Sequence, residues 1–99
     1  MTSSIPDAFS KPRKTRGASF EPHVAAALGR VIRARREAAD LPQDKFAYAA
    51  GVDRSFYGKL ERGERQPSIG VLLRIARALN CSGSEILAEA ETLLATEYK

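Results

Sequence analysis

Tryptophan is absent from these 99 residues, and cysteine, histidine and methionine occur once each. A lone Cys81 excludes a disulfide within the chain, and no His or Cys cluster has metal-ligand spacing, so no metal is expected. Aromatic residues make up 7%, too few for the stacking platforms that hold single-stranded nucleic acid. No apolar run approaches the roughly 20 residues that span a bilayer, and the N-terminus lacks the apolar stretch of a signal peptide. The expectation is an unprocessed protein of a reducing cytoplasm, with no membrane partner. No nucleophile, acid–base pair or ligand set stands at useful spacing, so no catalytic residue and no cofactor is assigned. His23, at a helix start, reads as a surface residue, and Cys81 as a buried small apolar side chain.

Charge is what the chain does have. Lys and Arg number 16 against 12 Asp and Glu, a net +4, which favours polyanionic partners. The length suits one small domain and a tail rather than two cores. Residues 1–20, "MTSSIPDAFSKPRKTRGASF", mix Ser, Thr, Pro and Gly with few apolar residues and read as a flexible, disordered arm. Its cations are Lys11, Arg13, Lys14 and Arg16. Composition leaves two roles open for it, a solubilising tail or an arm that follows DNA.

Residues 21–99 read as one helical domain. Val24, Ala27, Leu28, Val31, Ile32 and Arg35 recur at steps of three and four, and Pro22 suits a first helical turn, so helix one runs from Pro22 to Ala39. A break at "ADLP" precedes a short helix from about Gln43 to Ala50, with Phe46 and Ala47 inward and Gly51 as the turn. Asp53 is placed to cap a third helix that ends near Arg62 before Gly63, with Tyr57 and Leu60 facing the core. Ser68 caps a fourth, whose expected apolar stripe is Ile69, Leu72, Leu73, Ala76 and Leu79. A fifth, about Ser84 to Thr96, carries Ile86, Leu87, Ala90, Leu93 and Leu94. Five short helices without a strand pattern predict an all-α fold.

Helices two and three together, "QDKFAYAAGVDRSFYGKLERG", read as a helix-turn-helix. Ala47 permits close approach, Gly51 turns the chain, and Val52, Tyr57 and Leu60 pack. The remaining face of helix three is Arg54, Ser55, Gly58, Lys59 and Arg62. A glycine inside a helix costs roughly 1 kcal/mol against alanine, so Gly58 needs a reason, either close approach to DNA or close packing.

With "LGRVIRARRE", "LPQDKFAYAAGVDRS", "LERGERQPS" and "LLRIARALNCSGSEIL" in succession, the chain resembles the Cro and lambda-repressor-like (Xre-type) regulators over about Leu28 to Leu87. Its size and layout are similar to those of restriction-modification controller proteins. The resemblance implies a five-helix lambda-repressor-like domain that binds double-stranded DNA. It puts Arg54, Ser55, Gly58 and Lys59 at base-facing positions, with Arg54 reaching furthest. An arginine there can donate a bidentate pair to guanine, discriminating by roughly 1–3 kcal/mol. It puts Gln43, Arg62, Arg65 and Ser68 near phosphates, for which Lys59 is also the better placed despite its groove-facing position, joined by Lys11, Arg13, Lys14 and Arg16 if the arm wraps the duplex. It also implies a partly buried ion pair between Arg36 and Glu61. Pro42 and Asp40 depart from the family pattern, which often has Ser or Thr and glycine there. Tyr57 stands where a smaller aliphatic residue is usual, so its hydroxyl is expected at the rim of the core and Phe56 more exposed.

Helix five extends its apolar positions beyond the usual family boundary. The expected use of Ile86, Leu87, Ala90, Leu93 and Leu94 is a homodimer seam, ahead of packing back on helix one, and Glu85, Glu89 and Glu91 read as a solvated face. A dimer sets two recognition helices about 34 Å apart on a palindromic operator. The second reading is an antitoxin-type protein, in which that helix holds a different protein partner.

Overall fold

Four of the turns that join helices in this chain close in the same way. The computed structural model describes residues 20–97. Its elements are α1 (Pro22–Ala38), α2 (Gln43–Ala50), α3 (Arg54–Glu61), α4 (Ile69–Ala78) and α5 (Gly83–Glu97), with no strand among the described residues. At the end of each of the first four helices one residue turns left-handed: Asp40 (φ 60°), Gly51 (φ 72°), Gly63 (φ 76°) and Asn80 (φ 63°). The residue after it donates its N–H back into the helix, Leu41 to Arg36, Val52 to Ala47, Glu64 to Lys59 and Cys81 to Ala76. This closure satisfies carbonyls that the helix end would otherwise leave bare, and Asp and Asn tolerate the left-handed region better than other side chains. Asp40 thus does the work of the glycine usual at its position.

Helix starts are equally local. Pro22 occupies the first turn of α1, where its missing N–H is no loss. The Asp53 carboxylate accepts from Phe56 N at 3.0 Å and Ser68 Oγ from Val71 N at 3.1 Å. α5 opens on a reciprocal box: Ser82 Oγ accepts from Glu85 N at 3.1 Å, and Glu85 Oε1 accepts from Ser82 N at 2.9 Å. Such boxes satisfy two helix-end donors at once. Ser82 and Glu85 lie at the spacing of the motif, yet the sequence reading began this helix one residue later.

The core is built around α1, against which both α3 and α5 pack. Leu28, Val31 and Ile32 meet Phe46, Tyr57, Leu60, Leu72, Ile75 and Ile86. Phe46 and Tyr57 contact with ring centroids 5.4 Å apart and planes tilted by 55°, within the geometry favoured by aromatic pairs. α1 and α3 approach so closely at Gly29 that a Cβ there would lie 2.5 Å from the Leu60 carbonyl oxygen and 2.6 Å from that of Glu61. The expected stripe of α4 is corrected: Leu72, Ile75 and Ala76 are the buried residues, whereas Ile69 and Leu73 are 68% and 48% exposed. Both register choices run at helical spacing, and only the packing of α2 and α5 against α4 decides between them.

Candidate nucleic-acid interface

The turn at Gly51 sets α2 and α3 against each other, and a contact from outside the motif fixes it: Arg74 of α4 donates from Nη1 to the Gly51 carbonyl at 2.9 Å. Because Asp53 caps α3, Arg54 and Ser55 become its first two residues, and both are exposed. They line one concave patch with Gln43, Asp44, Gly58 and Arg62. Lys59, half-buried, and Arg65 and Ser68, exposed, lie outside it.

Beneath the patch lies a polar cluster centred on Glu61. Arg36 donates from Nε to Glu61 Oε2 at 2.6 Å and from Nη2 to Oε1 at 3.0 Å, while its Nη1 holds the Leu41 carbonyl at 2.6 Å. Gln43 Nε2 donates to Glu61 Oε1 at 2.9 Å, and the Tyr57 hydroxyl donates to Oε2. A carboxylate only accepts, so the Gln43 amide nitrogen must face Glu61 and its oxygen the other way. Burial pushes the Glu61 carboxyl up, but the hydrogen bonds from Arg36, Tyr57 and Gln43 outweigh it and hold the group below its ordinary value. Burial, with the Glu61 carboxylate beside it, pushes the Tyr57 hydroxyl well up, so it stays a donor. The expectation of a Tyr57 hydroxyl at the rim is therefore corrected, since the residue is fully buried and its oxygen has a buried acceptor. Phe56 is likewise half-buried against the core rather than exposed.

The sequence model of the helix-turn-helix family HTH_3 matches residues 32–86, from the middle of α1 into α5. The chain belongs to this family. The uncharacterized HTH-type transcriptional regulator YazB of Bacillus subtilis is 41% identical over 58 residues, 59% of this chain and 84% of YazB. The regulator Rv0474 of Mycobacterium tuberculosis, similarly described, is 36% identical over 69 residues, 70% of this chain, which spans about half (49%) of that relative. Among solved structures, the restriction-modification controller protein C.AhdI from Aeromonas hydrophila aligns with a TM-score of 0.61 at 35% identity, covering 63% of this chain and 94% of that one. As a member of the family the chain is a DNA-binding transcriptional regulator, not an enzyme.

In this helix-turn-helix protein the loop after α3 carries a charge arrangement that sequence reading missed. Arg62, assigned to phosphate, donates from Nε and Nη2 to the two carboxylate oxygens of Glu64 at 2.9 and 3.3 Å. Its guanidinium lies over Gly58, where a Cβ would meet Nη1 at 3.1 Å. Gly58 is thus a packing position for Arg62 in the free protein. Ser68 Oγ is engaged as the cap of α4. Lys11, Arg13, Lys14 and Arg16 lie outside the described residues. No described helix is long and apolar enough to cross a membrane, and no group of metal-ligating side chains forms among the described residues.

The assignment of α5 to a seam needs correction at most of its positions. Ile86 and Ala90 are 0% and 3% exposed inside the chain's own core, and Leu93 and Leu94 pack at its edge. α5 lies back along α1, where Arg35 donates from Nε and Nη2 to the two Glu89 oxygens at 3.0 and 2.5 Å and Arg30 pairs with Glu97 at 2.5 Å. Glu89 thus stays half exposed, as expected of a solvated face, while it also pairs across the α1–α5 contact. Of the five seam residues, Leu87 alone remains exposed, at 40%.

Proposed function

We propose that the protein is a sequence-specific regulator that binds double-stranded DNA as a homodimer, inserting α3 into the major groove of a palindromic operator. One observation carries this reading: capping by Asp53 leaves Arg54 and Ser55 exposed on the first turn of α3, while Tyr57 and Leu60 bury the opposite side of the same helix. Arg54 donates to guanine, Ser55 reads either a base edge or a phosphate, and Lys59 and Arg65 add phosphate contacts. Gln43 has a second amide hydrogen free of Glu61 for a phosphate. The basic arm adds affinity along the backbone, and the protein works among DNA in the cytoplasm, associated with the nucleoid.

For the dimer, three of the large apolar residues left exposed, Ile69, Leu73 and Leu87, point to a face that shares only Leu87 with the expected seam. Ile69 and Leu73 are one turn apart on α4, Leu73 Cδ2 lies against Gly83 so closely that a Cβ there would stand 2.7 Å away, and Leu87 follows Gly83 by one turn of α5. The three make one apolar patch for a second copy.

Selection of bound duplexes from a random pool, against excess competitor DNA, tests specificity and symmetry together. A two-fold symmetric site is expected. Recovery of asymmetric sequences would remove the dimer, and recovery of nothing above background would remove sequence-specific binding itself.

A further inference from the structure

The carboxylate of Glu64 stands among three cations suited to phosphates, Lys59, Arg62 and Arg65. A negative charge in such a place opposes DNA, so it needs a role. Its position is set by the backbone: Gly63 at φ 76° reverses the chain, and Glu64 N donates to the Lys59 carbonyl at 2.9 Å. Residue 64 is thereby folded back beside the last turn of α3. From there its two oxygens take the Arg62 fork, Nε at 2.9 Å and Nη2 at 3.3 Å. That is the bidentate geometry by which an arginine grips a phosphate. The same guanidinium lies over bare Gly58 and lines the concave patch together with Arg54 and Ser55.

We propose that Glu64 is an internal stand-in for a DNA phosphate, a positioning residue that holds Arg62 over Gly58 in the free protein and must be displaced when a duplex docks. The proposal rests on the reading of α3 as the DNA-contacting helix. Its consequence is selectivity. Non-specific binding is almost wholly phosphate attraction, in which every free cation counts. With Glu64 in place, Arg62 is neutralised until a phosphate is brought to its fork in register. A correctly seated α3 does that, and a duplex held loosely does so incompletely. Glu64 thus weakens loose binding more than seated binding.

The test compares the wild-type chain with Glu64→Gln, Arg62→Gln and the double variant, by fluorescence anisotropy with two duplexes, one selected from a random pool and one of random sequence, across a potassium chloride series. Both side chains are about half exposed, so all variants should fold, which circular dichroism checks. Glu64→Gln should tighten binding to the random duplex by about twofold to fivefold and steepen the slope of log K against log salt by about 0.9, the value for one added phosphate contact. The selected duplex should gain less. In the Arg62→Gln background the Glu64 substitution should change neither slope nor affinity. An unchanged slope for Glu64→Gln, or an equal gain with and without Arg62, would overturn the proposal while leaving DNA binding intact. If the wild-type chain and every variant bind neither duplex, the DNA-contacting reading of α3 falls, and this inference falls with it.

Discussion

The guanidinium of Arg36 and the carboxylate of Glu61 meet through two hydrogen bonds of 2.6 and 3.0 Å, with only 10% and 2% of the two side chains exposed. The pair joins α1 to the C-terminal end of α3 and so fixes the angle at which Arg54 and Ser55 leave the domain. Buried pairs contribute little net stability when intact, but removal of one partner strands the other without compensation. Arg36→Met is expected to lower the unfolding free energy by about 3–5 kcal/mol in urea titrations. A loss below about 1 kcal/mol, the range of an exposed pair, would mean that Glu61 reaches water.

The same cluster predicts a sensitivity to acid. The folded pKa of Glu61 is lowered, so its contribution is complete above the unfolded value, about 4.3, and is lost as pH falls through the lower folded value. Tyr57→Phe removes one of the donors that lower it, so less stability should disappear between pH 7 and pH 3 than in the wild type. At neutral pH the variant should be less stable by about 1.5–3 kcal/mol, the range for a hydrogen bond to a charged group. Urea titrations of both proteins at the two pH values read both effects; identical pH dependence would place the acid sensitivity elsewhere.

Gly29 predicts a third stability effect, one of shape. Its missing Cβ leaves room for the backbone of α3, with carbonyl oxygens of Leu60 and Glu61 at 2.5 and 2.6 Å from where that atom would stand. Backbone cannot swing aside as a side chain does. Gly29→Ala should therefore destabilise by about 1–3 kcal/mol, although alanine is the better helix former by roughly 1 kcal/mol. A stabilised variant in thermal melts would show that the two helices separate at no cost.

How far the sequence was legible follows from which signals are local. The caps at Asp53 and Ser68 and the glycine turns at 51 and 63 were readable because each is made by neighbours in the chain. Gly29 was not singled out, although a glycine inside the periodic run from Leu28 to Ile32 is itself a signal of close approach. Tyr57 was misjudged because its acceptor is Glu61, whose orientation depends on Arg36 from another helix. The face of α4 was misread because "IGVLLRIARAL" offers two stripes at helical spacing, Ile69–Leu73 and Leu72–Ile75–Ala76. The base-facing residues came from family resemblance, whereas the Arg62–Glu64 fork follows from a turn at Gly63 that brings the two side chains together.

The face that α5 buries has a consequence for assembly. Ile86 is wholly buried, whereas Leu87 is 40% exposed, so their replacement should have opposite outcomes. Leu87→Glu should leave the helical circular dichroism unchanged and shift sedimentation toward the monomer. Ile86→Glu should instead unfold the chain, because it puts an unpaired charge in the core. A folded, monomeric Ile86→Glu protein would restore the seam first read from the sequence.

Arg54 and Lys59 separate base reading from phosphate attraction. Arg54 is exposed at the first position of α3 and lines the concave patch; Lys59 is half-buried near the other end of the helix and does not. Arg54→Ala should relax sequence preference at one base pair in each half-site, removing about 1–3 kcal/mol of discrimination there. Lys59→Ala should weaken all duplexes alike and flatten the salt slope by about 0.9. Measured on the selected duplex and a set of single-base variants, the two profiles should not superimpose. Uniform losses from both substitutions would mean that Arg54 also binds the backbone, and base reading would then have to come from Ser55 or from the shape of the duplex.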